Sequence, residues 1–194
     1  MKEYEVIGIV SGGSAEGIVS KFLDVCEGKR LITVSSEAPH EGKSTVVLSL
    51  AYALSEYGKS VIVIDADFRT MRGIAHHFGM KSHHYDDKTY MDMAHNVGGY
   101  KVVYPKDYGK TPESIINSER FGNFLDEAKR EYEIVLIDTP PYAVFRDAEV
   151  IASKTDGVVL VRSDRVYHTH TVTNVLGVIE NQFRGRRGIK WRMM

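Results

Sequence analysis

Short runs of apolar residues, each rich in valine and isoleucine, recur along the chain. Runs of this kind are apolar on both faces, as strands are when helices cover both sides of a parallel sheet. They predict four buried parallel strands, at residues 31–34, 61–64, 134–137 and 158–161.

Helical patterns lie between these runs. Apolar residues recur every three to four positions over residues 46–54 and stop at Gly58, which suits the left-handed position after a helix. A second pattern covers residues 121–128, and Asp147 is placed to cap a helix over residues 147–154. Strands and helices that alternate in this way predict an α/β fold, a doubly wound domain with a mostly parallel sheet.

The remaining segments give weaker patterns. The N-terminal residues are compatible with a strand over 6–10 and a weak helix over 15–26. Residues 70–117 show little periodicity, and we interpret them as a surface excursion with short helices. No repeat, low-complexity tract or linker divides the chain, so a single domain over residues 1–194 is expected.

Charge, cysteine content and hydrophobicity limit which binding partners and which cellular compartment we expect for this chain. The 25 basic and 26 acidic side chains leave a formal net charge of -1, which gives no overall field toward nucleic acid or an anionic membrane. The single cysteine, Cys26, cannot form an internal disulfide, and no apolar run approaches the ~18 residues of a membrane-spanning helix. We therefore expect a cytoplasmic protein that does not bind nucleic acid and reaches a membrane only through a partner.

Residues 35–45, with the sequence SSEAPHEGKST, follow the first predicted strand and enter the first strong helix. This is the order of a P-loop, in which backbone N–H groups and the helix N-terminus surround phosphate oxygens. Lys43 would place its charge on the β- and γ-phosphates, and the Ser44 hydroxyl would ligate Mg²⁺. The alternative is a solvated turn with Ser44 as a helix cap, which leaves Lys43 without a role.

Two aspartates end predicted strands at the same relative place. Asp65 follows the strand at 61–64, and Asp138 follows the strand at 134–137. The carboxyl ends of parallel strands form the ligand edge of such a sheet, so both should meet the loop at 35–43 there. Carboxylates beside a triphosphate repel it unless a cation lies between them, which implies Mg²⁺. For each aspartate alone, the alternative is a turn or helix-cap residue.

Three segments resemble the motifs of bacterial tyrosine kinases (BY-kinases), the cytoplasmic kinases of capsule and exopolysaccharide assembly. Residues 35–45 resemble Walker A, residues 61–69 (VIVIDADFR) Walker A′ and residues 132–141 (YEIVLIDTPP) Walker B, and the similarity covers about residues 30–165. The resemblance implies a P-loop NTPase fold of the ParA/MinD-like superfamily and a kinase that uses ATP and Mg²⁺ to phosphorylate protein tyrosines. It also implies a transmembrane adaptor of the polysaccharide co-polymerase type, which would hold the kinase at the inner face of the membrane.

The resemblance also implies roles for individual residues. Lys43 would neutralise the phosphates, while Ser44, Asp65 and Asp138 would position Mg²⁺. Either Asp65 or Asp67 would be the base for the tyrosine hydroxyl. The residues expected around the nucleotide are Glu41, Gly42, Lys43, Ser44, Thr45 and Arg162. The residue pattern alone identifies this cluster without dividing the roles among its members.

The chain departs from the family pattern in the loop and near its N-terminus. His40 stands where the family usually has a glycine, next to the phosphate, which raises the question of the backbone conformation there. The N-terminal helix of the family carries a Glu-x-x-Arg-x-x-Arg pattern used in ring assembly, whereas here Glu16 is followed by Val19 and Phe22. We therefore expect a monomer or a small oligomer.

The C-terminal segment departs as well. The family ends in a tyrosine cluster that is autophosphorylated, but the last tyrosine here is Tyr167, and residues 184–194 form a basic tail. We expect weak autophosphorylation, with phosphate directed at another chain or at tyrosines of the excursion such as Tyr85 and Tyr90.

Two other functions stay open. A ParA/MinD-like ATPase switch would use ATP to change its oligomeric state. Proteins of that kind carry a second lysine five residues before the main one, and this chain has Ala38 there, which favours the kinase. A catalytically weak, adaptor-binding relic of the kinase would explain the unusual loop and the absent tyrosine cluster.

Overall fold

The computed structural model describes residues 6–9, 15–70, 73–81, 89–163 and 172–181 of the 194-residue chain. The strands are β1 (Val6–Ile9), β2 (Leu31–Ser36), β3 (Val61–Asp65), β4 (His95–Val97), β5 (Tyr100–Val103), β6 (Ile134–Asp138), β7 (Gly157–Arg162) and β8 (Val175–Glu180). The helices are α1 (Ala15–Val25), α2 (Lys43–Glu56), α3 (Ile74–His77), α4 (Pro112–Ile116), α5 (Glu119–Glu131) and α6 (Asp147–Ala152), with a 3-10 turn at Met91–Met93. Within these ranges the strands form one sheet in the order β1-β8-β7-β2-β6-β3-β5-β4, in which every neighbouring pair except β4 and β5 is parallel. The predicted mostly parallel α/β fold is confirmed.

The four strands predicted from the apolar runs form the centre of the sheet as β2, β3, β6 and β7, and all four predictions are confirmed. Their side chains are buried except for Arg162 at the end of β7. Alternate residues of one strand belong to different cores, because successive side chains point to opposite faces of a sheet. In β3, Val61 and Val63 pack in the core that contains α2, whereas Ile62 and Ile64 pack in the core that contains α5.

The two strong helical patterns are confirmed as α2 and α5. Gly42 is the N-cap residue of α2 with a φ of 84°, and no side chain caps this helix, so the alternative of Ser44 as a cap is wrong. Gly58 follows the end of α2 with a φ of 77°, as predicted. At the start of α5, the Ser118 hydroxyl accepts a 3.1 Å hydrogen bond from the N–H of Phe121.

The predicted N-terminal strand and helix are confirmed as β1 and α1, and β1 pairs in parallel with β8. Strand β8 itself had no clear signal in the sequence. The interpretation of residues 70–117 as a surface excursion with short helices is confirmed for α3, α4 and the 3-10 turn but is wrong for β5, which pairs with β3 and buries three of its four residues. Lys101 interrupts the apolar run of β5, and the remaining residues are too few to show a pattern.

The helix predicted over residues 147–154 is present as α6, but it ends at Ala152 and its N-cap residue is Arg146. Asp147 is therefore the first residue of the helix, and the prediction that it caps the helix is wrong. Its carboxylate instead pairs with Arg69, a distant residue that a local pattern cannot identify. In the described part of the chain, no helix has both the length and the apolar character needed to cross a membrane.

Candidate active site

The loop between β2 and α2 contains backbone conformations that favour glycine. Two of its residues, His40 (φ 65°) and Gly42 (φ 84°), are in the left-handed region. Glycine adopts this region without strain, whereas a residue with a side chain does so at a cost in free energy. His40, at a position where the family usually has glycine, thus adopts the left-handed conformation that glycine favours.

Glu41 holds the loop in place from within. Its buried carboxylate accepts hydrogen bonds from the N–H of Ala38 (3.0 Å) and from the N–H of Ser163 (3.2 Å), just beyond β7. The side-chain amide of Asn181, just beyond β8, donates to the Glu41 carbonyl at 2.8 Å. The carboxylate of Glu41 is therefore engaged with the protein, and we expect it to shape the loop rather than to contact phosphate.

Ser44, in the first turn of α2, is joined to the end of β6. Its hydroxyl donates a 2.6 Å hydrogen bond to Oδ2 of Asp138, a residue that is 0% exposed. The other oxygen, Oδ1, is buried and has no hydrogen-bond partner among the described residues. Burial raises the pKa of Asp138 to about 7, against the opposing effects of Lys43 and of the Ser44 hydrogen bond. A buried carboxylate oxygen without a donor is suited to a cation or to a water that a cation holds.

Asp65 lies beside Asp138, since the two residues are partners in the register of β3 and β6. Both oxygens of Asp65 accept backbone hydrogen bonds, Oδ1 from Asp67 (3.2 Å) and Oδ2 from Ala75 at the start of α3 (2.6 Å). Burial, followed by the charge of Asp138, raises the pKa of Asp65 to about 8. Asp65 therefore anchors the turn that follows β3 as well as adding a carboxylate to the site.

Asp67 lies in that turn, and it is held through one oxygen only. Its Oδ1 accepts hydrogen bonds from the N–H groups of Arg69 (3.3 Å) and Thr70 (3.2 Å). Its Oδ2 makes no hydrogen bond to a described residue. Burial raises the pKa of Asp67, although the nearby charge of Lys43 opposes the shift.

Lys43 is buried at the N-terminus of α2, and its charge acts on both Asp67 and Asp138. The structure thus brings together the four residues predicted to carry the chemistry: Lys43, Asp65, Asp67 and Asp138. The cluster holds three carboxylates, and the charge of Lys43 acts on only two of them, Asp67 and Asp138, so the site favours an additional cation. Mg²⁺ bound through one or two protein oxygens, with phosphates and water completing its shell, fits this set of donors.

Two residues predicted to bind nucleotide lie at the margin of this cluster. Arg162 is exposed at the end of β7, and its guanidinium Nε donates to Glu180 of β8 at 3.1 Å. Thr45 is exposed in the first turn of α2. Both lie at the carboxyl edge of the sheet, and their contact with a nucleotide stays a prediction.

The prediction that Tyr90 accepts phosphate is contradicted by its surroundings. The side chain is 1% exposed, its hydroxyl donates a 2.7 Å hydrogen bond to Oδ2 of Asp107, and its ring packs edge-on against Phe124. A tyrosine so enclosed cannot enter the active site of a kinase. Tyr85, Tyr167 and the basic tail at 184–194 lie outside the described residues.

Sequence reasoning missed two groups of residues at this site. Asn181 and Ser163 hold Glu41, and Arg69 joins the turn after β3 to Asp147. Arg69 lies in the segment that resembles Walker A′, and this resemblance was the feature of the sequence that could have identified it. Nothing in the sequence distinguished Asn181, because its role depends on β8 lying next to β7.

Comparisons with known proteins identify the family of the chain. The family model for the ATPase MipZ matches residues 30–174. The chain is 30% identical over 151 residues to the tyrosine-protein kinase YwqD of Bacillus subtilis, covering 74% of this chain and 63% of that protein. It is 28% identical over 144 residues to the tyrosine-protein kinase CpsD of Streptococcus agalactiae, covering 68% of this chain and 61% of that protein. The chain therefore spans less than two thirds of the length of these curated relatives.

A solved structure shows the same fold. The kinase domain of the Escherichia coli tyrosine kinase ETK superimposes with a TM-score of 0.74 at 20% identity, covering 92% of this chain and 78% of that domain. The chain thus belongs to the family of P-loop ATPases that the MipZ model describes, and its curated relatives are bacterial tyrosine kinases of the BY type.

Proposed function

We propose that this chain is an ATP- and Mg²⁺-dependent protein-tyrosine kinase domain that regulates the synthesis or export of a capsular or extracellular polysaccharide. One observation carries the proposal: the Ser44 hydroxyl binds one oxygen of Asp138 and leaves the other oxygen buried without a hydrogen bond to a described residue, in a carboxylate that lies beside Asp65 and is affected by the charges of Lys43 and Asp67. This arrangement suits a metal-bound triphosphate at the N-terminus of a helix. The similarity to tyrosine kinases supports tyrosine as the acceptor.

The nucleotide would lie in the loop at the start of α2. The backbone N–H groups of the loop and the Lys43 ammonium would neutralise the phosphates, and Glu41 would keep the loop in shape. Ser44 and Asp138 would hold Mg²⁺, with Asp65 adding negative charge beside them. The metal would neutralise charge on the β- and γ-phosphates as phosphoryl transfer proceeds.

Asp67 is the better candidate for the base. Both oxygens of Asp65 accept backbone N–H groups, whereas Oδ2 of Asp67 has no hydrogen bond within the described part of the chain. In the reaction, Asp67 would take the proton of the tyrosine hydroxyl as that oxygen bonds to the γ-phosphorus. The bond from the γ-phosphorus to the bridging oxygen would break, and ADP would leave. The raised pKa of Asp67 favours this role, because a base works best when its pKa approaches the working pH.

The partners follow from the same proposal. The substrates are tyrosines on protein chains, and the regulator is a transmembrane adaptor of the polysaccharide co-polymerase type. The adaptor would hold this single domain at the cytoplasmic face of the membrane. Support for this part comes from the relatives, which are named tyrosine-protein kinases.

A direct assay tests the proposal. The purified chain is incubated with γ-labelled ATP, Mg²⁺ and a tyrosine-containing acceptor, and phosphotyrosine and free phosphate are measured separately. Label on tyrosine that disappears with EDTA and with Asp138→Asn supports the kinase. If neither phosphotyrosine nor free phosphate forms, the chain is an inactive relic and the proposal is rejected.

A second candidate is an ATPase switch of the ParA/MinD type, which the match to the ATPase MipZ model favours. Ala38, at the place of the second lysine of such switches, is against it. The same assay separates the two functions, since a switch releases free phosphate without forming phosphotyrosine. Light scattering with and without ATP would then show a nucleotide-dependent change of mass.

A further inference from the structure

Arg69 joins three segments around the turn that carries Asp67. Its guanidinium forms a two-point contact with Asp147, the first residue of α6, with Nε to Oδ2 at 2.7 Å and Nη2 to Oδ1 at 2.9 Å. Nη2 also contacts Glu113 in α4, and the guanidinium carbon lies 4.9 Å from the ring centroid of Phe145. The side chain of Asp147 is 5% exposed, so water competes little for this ion pair.

The backbone of the same residue holds Asp67. The N–H groups of Arg69 and Thr70 both donate to Oδ1 of Asp67, which fixes the orientation of that carboxylate. Arg69 therefore binds Asp147 through its side chain and Asp67 through its backbone, so a shift of the side chain would also move the turn that holds Asp67. Each residue of the ion pair also lies in the segment that comes after one of the two central carboxylates in sequence: Arg69 comes after Asp65, and Asp147 comes after Asp138.

We propose that Arg69 is a positioning residue, which acts through Asp67 and requires its two-point contact with Asp147. The inference rests on the proposed function and adds to it the residue pair that keeps the candidate base in place. Only arginine offers two parallel N–H donors to one carboxylate, so a lysine at this place would keep the charge without fixing the geometry. Displacement of a reacting group by about 1 Å can cost about 100-fold in rate.

The test compares Arg69→Gln, Arg69→Lys and Asp147→Asn with a matched control, Arg146→Gln. Arg146 is the neighbouring residue in sequence to Asp147, its side chain is 93% exposed, and it only approaches Glu149 at 4.0 Å. Two measurements are made on each protein. The first is hydrogen exchange of the backbone amides at positions 69 and 70, and the second is kcat and KM for phosphoryl transfer.

We expect Arg69→Gln and Asp147→Asn to speed exchange of these two amides by about tenfold or more, because the turn opens locally. Their kcat should fall about 10- to 100-fold while KM for ATP changes less than threefold, since the phosphate loop is untouched. Arg69→Lys should lie in between, and Arg146→Gln should match the wild type in both measurements.

Two results would overturn the inference. One is unchanged exchange of the two amides in Asp147→Asn. The other is a fall in kcat that merely follows a fall in melting temperature and is shared by the control. A wild-type protein that forms no phosphotyrosine would reject the proposed function instead, and the exchange measurement would still decide whether Arg69 holds the turn.

Discussion

Asp65 and Asp138 are direct partners in the register of β3 and β6, so two buried carboxylates end neighbouring parallel strands. Burial is the main cause that raises their pKa values, to about 8 for Asp65 and about 7 for Asp138. Burying two carboxylates side by side costs free energy unless hydrogen-bond donors or a cation offset their charge. In the proposed function, a cation that binds with the substrate offsets this cost.

Lys43→Met tests the phosphate loop. Methionine keeps a similar apolar stem but removes the charge that faces the phosphates, so the affinity for ATP should fall about 10- to 100-fold, whereas that for adenosine should change little. Calorimetric titration of both ligands measures the difference. An equal loss for ATP and adenosine would mean that Lys43 acts through folding alone.

Asp138→Asn should abolish turnover without unfolding the protein. The amide oxygen can still accept the hydrogen bond of Ser44, and an uncharged group costs less to bury than a carboxylate, so the melting temperature should stay the same or rise. Turnover should fall at least about 100-fold because an amide is a poor ligand for Mg²⁺. Melting curves and ATP turnover at saturating Mg²⁺ check the two halves, and turnover at the wild-type rate would contradict the assignment.

We expect Asp65→Asn to lose stability, unlike Asp138→Asn. Each oxygen of Asp65 accepts a hydrogen bond from a backbone N–H group. The side chain of asparagine has only one oxygen, so its NH₂ group would face the second backbone N–H, and two donors would meet. We expect lost turnover together with a destabilisation of about 1–3 kcal/mol, measured by chemical denaturation. A variant as stable as Asp138→Asn would show that Asp65 does not anchor the turn.

Much of the fold could be predicted, because the central strands are continuous apolar runs whose pattern does not depend on their neighbours. Strands β5 and β8 could not, since one is interrupted by Lys101 and the other contains Gly177. The same limit applied to the site. Asp65 and Asp138 end apolar strands, and Lys43 and Ser44 begin the helix after the loop that follows β2, so local sequence predicts their place. The partner of Asp147 lies 78 positions away in sequence, and its place depends on the fold.

Asp156 gives a pH dependence far from the active site. Its pKa is lowered, because hydrogen bonds from Lys129 and from the N–H groups of Leu31 and Arg30 outweigh the opposing effect of burial. A lowered pKa stabilises the fold above the unfolded value of about 4 and loses that contribution as the pH falls through the folded value. Asp156→Asn keeps an acceptor for the two backbone groups but loses the charge, so it should cost about 1 kcal/mol at pH 7 after allowance for solvent screening.

Denaturant unfolding of wild type and Asp156→Asn from pH 7 down to about pH 3.5 checks this expectation. The difference in the free energy of unfolding should shrink toward the acidic end, and Lys129→Gln should reproduce most of the loss at pH 7. A difference that stays constant over the whole range would show that the charge of Asp156 does not stabilise the fold.

Tyr90→Phe tests whether Tyr90 stabilises the fold through its hydrogen bond to Asp107. The ring still packs against Phe124, but Oδ2 of Asp107 loses its hydroxyl donor, so we expect a destabilisation of about 1–2 kcal/mol. Mass spectrometry of the wild type after incubation with ATP should find no phosphate on Tyr90. Stoichiometric phosphate there would show that the segment around Tyr90 opens readily.

The measurement that tests the central claim most directly is the formation of phosphotyrosine by the wild type and by Asp67→Asn, with the binding of ATP and Mg²⁺ measured on both. The account predicts that the wild type phosphorylates tyrosine, and that the variant binds ATP within about threefold of the wild type while its transfer rate falls about 100-fold or more. Phosphate released to water by a wild type that never forms phosphotyrosine would contradict the account.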